Sequence, residues 1–127
     1  MLIDWAREYS QNYYVKYKAY TPVENLVRYV SDVKQLKTQF GSSRPYGAGF
    51  LFCGWDKIYG YQLYNTEPSG VYNCWKAHAI GQNYQNAQST LKELYEDNMS
   101  LKEGILLTIR VLKKTLDKNK MSGDNSI

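Results

Sequence analysis

The run Phe50-Leu51-Phe52-Cys53 constrains this chain more than any other segment. Four consecutive apolar residues between glycine-bearing stretches read as a short strand, and a strand that is apolar on successive positions must hide both of its faces from water. The residues around it extend the pattern. Arg44-Pro45-Tyr46-Gly47 precedes it; Gly54-Trp55-Asp56, Gly60-Tyr61-Gln62-Leu63-Tyr64 and Glu67-Pro68-Ser69-Gly70 follow, and Val71 to Ile80 closes the region. This punctuation predicts a three-stranded meander over roughly 48–54, 60–66 and 71–79. Its turns fall at Asp56 to Gly60 and at Glu67 to Gly70, and Gly81 ends it.

Helices flank the meander. Leu2, Ala6, Tyr9, Tyr13 and Tyr17 recur at spacings of three and four, the period of one helical face. Thr21-Pro22-Val23-Glu24 has the pattern of a capping box with proline in the first turn. It predicts a second helix with Leu26, Val30, Val33, Leu36 and Phe40 on one stripe and Gly41 at its end. After the strands, Tyr84, Ala87, Leu91 and Leu94 mark a third helix. Ser100-Leu101-Lys102-Glu103 opens a fourth, whose core face is expected to be Leu101, Ile105, Ile109, Leu112 and Leu116. From Lys118 the chain turns polar, and 118–127 is expected to be a flexible tail. The order helix, helix, three strands, helix, helix is α+β in layers. A doubly covered strand in a three-stranded sheet, with no further segment of strand patterning, leaves that architecture incomplete.

A length of 127 residues suits a single domain. No run approaches the about 20 apolar residues needed to cross a bilayer, and the N-terminus lacks a cationic region followed by an apolar stretch, so a cytoplasmic and nuclear location is expected. The net charge of +4 is dispersed among acidic residues, as on a solvated surface rather than a nucleic-acid footprint. Cys53 and Cys74 are expected to be buried, unpaired thiols.

No catalytic constellation emerges. His78 is the single histidine. Placed in the same strand as Cys74, it would lie about 13 Å from it, too far to activate the thiol. Two cysteines 21 positions apart and one histidine lack the short-spaced ligand pairs of zinc sites. No Gly-Lys-Ser/Thr follows the glycines at 47, 49 and 54, so no phosphate loop forms. No cofactor is expected. The 13 tyrosines instead suit a surface that becomes covered on assembly, since each joins an apolar ring to a polar tip.

Thr38-Gln39-Phe40-Gly41, Arg44-Pro45-Tyr46-Gly47, Gly54-Trp55-Asp56, Gln62-Leu63-Tyr64, Pro68-Ser69-Gly70, Trp75-Lys76-Ala77 and Ile80-Gly81, in this order and spacing, resemble the alpha-type subunits of the proteasome core particle. The resemblance spans nearly the whole chain. It implies a partial four-layer αββα sandwich, of the kind found in N-terminal-nucleophile hydrolases, with the family's further strands lying before the first helix and after the last. It also implies a non-catalytic ring subunit that works in ubiquitin-dependent protein degradation, with other proteasome alpha and beta subunits as partners. Tyr9, Tyr13, Tyr17 and Gln39 would lie at a subunit interface. The isolated chain is expected to self-associate over its open strands. Two rivals are a threonine peptidase subunit of the same architecture and a basic aromatic RNA-binding module.

Overall fold

The computed structural model describes residues 2–39 and 49–124, with the side chains of 37–39 and 118–124 excepted. The chain divides into two compact units, residues 1–76 and 77–127.

The first unit contains α1 (Leu2–Tyr17), α2 (Val23–Gln39), β1 (Phe50–Asp56), β2 (Gly60–Thr66) and β3 (Tyr72–Trp75). The strands form an antiparallel meander in the order β1-β2-β3. Phe52 is opposite Tyr64, which in turn is opposite Cys74. β3 is shorter than its sequence pattern predicts and ends at Trp75, so His78 is not a strand residue and the spacing argument against a Cys74–His78 pair does not apply. The Gly41 helix stop and the Arg44-Pro45-Tyr46-Gly47 motif lie outside the described residues.

Leu2, Ala6 and Val30 form the buried centre, with Trp5, Leu26, Tyr29, Val33, Phe50 and Phe52 packed around it. Alternation along β1 turns Phe50 and Phe52 to the helices and leaves Leu51, Cys53 and Trp55 exposed. This chain therefore covers the strand on its helix side alone, in keeping with the incomplete layered architecture expected from the sequence. Within this unit there is one helical layer, and it can cover only one side of a sheet. The open side is nonetheless apolar: Tyr61 and Trp75 share it by register with Trp55, Cys53 and Leu63. Both cysteines are free and exposed rather than buried.

The start of α2 also departs from the sequence pattern. Thr21 Oγ1 is buried without a hydrogen-bond partner, so the expected capping box does not close. The cap comes from the sheet: Val23 N–H donates to Asp56 Oδ2 at 3.1 Å. The same carboxylate accepts Ile58 N–H and Tyr59 N–H on Oδ1, each at 2.9 Å, and Gln62 Nε2 on Oδ2 at 2.6 Å. These donors, the Tyr59 amide foremost, hold the Asp56 carboxyl below its ordinary pKa. Asp56 thus shapes the β1–β2 turn and fixes where α2 begins.

The buried stripe of α2 is Val27, Val30, Ser31 and Lys34, whereas Leu36 of the predicted stripe is exposed. A fully buried lysine has no signature in hydrophobic periodicity. Lys34 Nζ donates to Thr66 Oγ1 at 2.9 Å and to the Glu67 carbonyl at 3.5 Å, and it sits 4.6 Å from the Phe50 ring centroid. Burial lowers its pKa from the ordinary 10.5 to about 8. Below pH 8 the ammonium is charged whether the chain is folded or not, and the folded state bears the full desolvation penalty. Between pH 8 and 10.5 the unfolded chain binds more protons, so stability rises with pH across that window. Burial pushes Tyr64 up to about 12, which removes stability only above the ordinary tyrosine value of 10. Urea unfolding between pH 8 and 10 is therefore expected to show a rise in stability that Lys34→Met lacks; parallel curves for the two proteins would refute the assignment.

The second unit holds α3 (Tyr84–Leu94) and α4 (Leu101–Asp124). The α4 capping box forms as the sequence predicts: Glu103 N–H donates to Ser100 Oγ at 3.2 Å, and Ser100 N–H to Glu103 Oε2 at 3.4 Å. The helix continues past Lys118, where rising polarity predicts fraying. Its packing face differs from the expected one. Val111 is buried in α4 and Ala87 in α3, while Leu101, Ile105, Ile109, Leu112 and Leu116 are all exposed. Leu107, Val111 and Thr115 are the less exposed side of α4, and the bulkier stripe stays uncovered.

Candidate docking surface

The aromatic stripe of α1 divides by position. Tyr9 stacks on Tyr29 of α2, with centroids 4.4 Å apart and planes 17° off parallel, so it is an internal contact between the two helices. One turn on, Tyr13 and Tyr17 lean together at 4.6 Å, and Lys16 Nζ is 5.2 Å from the Tyr17 ring centroid. Tyr17 is more than half exposed. Gln39 is the last residue of α2, and its side chain lies outside the described residues.

A second aromatic pair has no signature in the helical period. Tyr14 and Tyr20 lie 5.4 Å apart where α1 ends in a left-handed residue, Lys18 at φ 55°. Both line an open groove of about 780 Å³ whose walls include Ile3 and Ala6 of α1, Leu26 and Val30 of α2, and Phe50 and Phe52 of β1. Phe50 and Phe52 gave the sequence signal for a covered strand, but only the fold shows that the cover stops short and leaves a trough.

The residues suited to chemistry do not converge. Gln88 Nε2 and His78 Nδ1 are 2.8 Å apart, and Tyr64 O–H donates to Gln62 Oε1 at 2.7 Å. Among the described residues no group of three His, Cys, Asp or Glu could hold a metal, and no helix is long and apolar enough to cross a membrane. What unit 1 offers is surface: an apolar sheet face, an apolar groove and an aromatic helix end.

The family described as "Proteasome subunit" matches residues 1–127. The chain belongs to the proteasome subunit family. It is 47% identical over 124 residues to proteasome subunit alpha type-4-1 of Oryza sativa subsp. indica and 47% identical to proteasome subunit alpha type-4 of Spinacia oleracea; in each case 98% of this chain and 50% of the relative are covered. The proteasome subunit alpha type-4 of Dictyostelium discoideum is 45% identical over 125 residues, with the same coverage. The chain thus spans about half the length of the curated relatives it matches. Four helices and a three-stranded antiparallel sheet form an α+β arrangement consistent with the αββα fold of proteasome subunits.

Proposed function

We propose that this proteasome-family chain is a non-catalytic structural part of the outer, alpha ring of the core particle. Its partners would be other alpha and beta subunits, its setting the cytoplasm and nucleus, and its process ubiquitin-dependent protein degradation. The observation that carries the reading is identity of 45–47% along 98% of the chain to alpha type-4 subunits of a cereal, a leafy plant and an amoeba. The uncovered apolar face of the sheet and the uncovered stripe of α4 support it, because neighbouring exposed apolar side chains mark sites of association.

The test is assembly. An affinity-tagged chain expressed in eukaryotic cells is expected to co-sediment with proteasome-sized particles and to bring down alpha and beta subunits identified by mass spectrometry. A chain found only in low-mass fractions, free of those subunits, would refute the reading. Hydrolysis of a fluorogenic peptide by the purified chain alone would favour the peptidase rival instead.

A further inference from the structure

The helix pair carries a recess on the side turned from the sheet. Trp5, Glu8, Tyr9 and Asn12 of α1 and Tyr29 and Val33 of α2 line it, and its volume is about 310 Å³. At about 100° per residue, Tyr29 and Val33 stand about 160° around α2 from Ser31, which is buried against the β2–β3 turn. Neither this sheet nor a layer on its far side can therefore cover the recess. All six lining side chains are at least partly exposed. Their chemistry is one-sided. Three of them are aromatic, with Tyr9 and Tyr29 stacked 4.4 Å apart, and ring faces carry negative partial charge. The one ionised group in the lining is the Glu8 carboxylate, which among the described residues forms no hydrogen bond and no ion pair. Its neighbour in sequence, Arg7, lines the groove beside β1 instead. A carboxylate left without a counter-charge among aromatic rings attracts a cation and repels an anion.

We propose that this recess takes an arginine side chain presented by a protein partner. The planar guanidinium lies against the Trp5 and Tyr29 rings, its fork donates to both oxygens of Glu8, and Asn12 Oδ1 accepts a further N–H. Arginine fits better than lysine, whose ammonium is a compact, strongly hydrated point charge with no flat face to lay on a ring. The proposal goes beyond ring membership and does not depend on it, because the full chain can be assayed by itself.

The probe is a short glycine-flanked arginine peptide with blocked ends, titrated into the full chain labelled with fluorotryptophan. Fluorine NMR then gives one signal each for Trp5, Trp55 and Trp75, assigned with Trp55→Phe and Trp75→Phe at exposed positions. The arginine peptide is expected to move the Trp5 signal and to leave the other two in place. A citrulline peptide, of the same shape without the charge, is expected to bind about tenfold more weakly, and a lysine peptide to fall between them. Raised salt is expected to weaken the arginine peptide alone among arginine and citrulline. In Glu8→Gln the arginine peptide is expected to lose about tenfold in affinity, with the circular dichroism unchanged because the position is exposed. Asn12→Lys, also at an exposed position, is expected to abolish the Trp5 shift by placing a like charge in the recess. Equal binding of the arginine and citrulline peptides, an unchanged affinity in Glu8→Gln, or shifts at Trp55 and Trp75 without one at Trp5 would overturn the proposal. So would tighter binding of the lysine peptide, or saturation by choline at lower concentration than the arginine peptide, which would give the recess to a small quaternary amine.

Discussion

Asp56→Ala is expected to lower the midpoint of thermal unfolding of unit 1 by on the order of 10 °C. Few single changes remove so many bonds at once. The carboxylate accepts from Val23, Ile58, Tyr59 and Gln62, and it is the one side chain seen to cap α2 among the described residues, since Thr21 Oγ1 makes no bond. Its loss leaves a helix N-terminus uncapped and a hairpin turn unsupported in one step. All three tryptophans, Trp5, Trp55 and Trp75, lie in unit 1, so tryptophan fluorescence follows this transition without a signal from α3 or α4. Asp56→Asn keeps an acceptor oxygen for the turn but replaces the other oxygen with an amide that cannot accept from Val23 and Gln62, so an intermediate midpoint is expected. The acid limb gives a second readout. Because donors to the carboxylate depress its folded pKa, the stabilisation is complete above the ordinary aspartate value of 3.8 and is lost as pH falls through the folded value. An Asp56→Ala midpoint equal to that of the unmodified chain would show that α2 is positioned by packing alone.

Gly70→Ala is expected to destabilise the same unit by about 3 kcal/mol, combining backbone strain with overpacking. Gly70 has φ +92°, a region that L-residues avoid, and it follows Pro68-Ser69 in a turn closed by Gly70 N–H donating to the Glu67 carbonyl at 3.0 Å. A methyl group there would come within 2.8 Å of the Ser31 carbonyl oxygen and 3.0 Å of Gln35, which are parts of α2 that cannot swing aside. Gly60 is the internal control. Its φ is +71°, yet a methyl group at this position would meet nothing within 4 Å, so Gly60→Ala bears the strain alone, about 1 kcal/mol. Urea midpoints for the two variants separate the terms; equal shifts would mean that α2 does not rest on the second turn.

Resemblance to a family and the local signals of turns and helix starts were readable along the chain. The Glu67-Pro68-Ser69-Gly70 turn, the Ser100–Glu103 box, the three-stranded meander and the α1 limits all follow from interactions between residues a few positions apart. The interface candidates fared differently from one another, because a helical period cannot say what stands opposite. Tyr9 meets Tyr29 of α2, whereas Tyr13, equally half-buried, leans on the exposed Tyr17. Periodicity also fixed an apolar stripe on α4 without saying that α3 would pack on the neighbouring face.

Order, element type and family membership were set by the chain itself, since each rests on short-range geometry or on the identity of consecutive residues. The cap that Asp56 supplies to Val23, the burial of Lys34 beneath the end of β2 and the groove beside β1 were decided only in three dimensions. Each joins residues about thirty or more positions apart, and the free energy of such a contact depends on desolvation and donor geometry that exist only once the helices lie on the sheet.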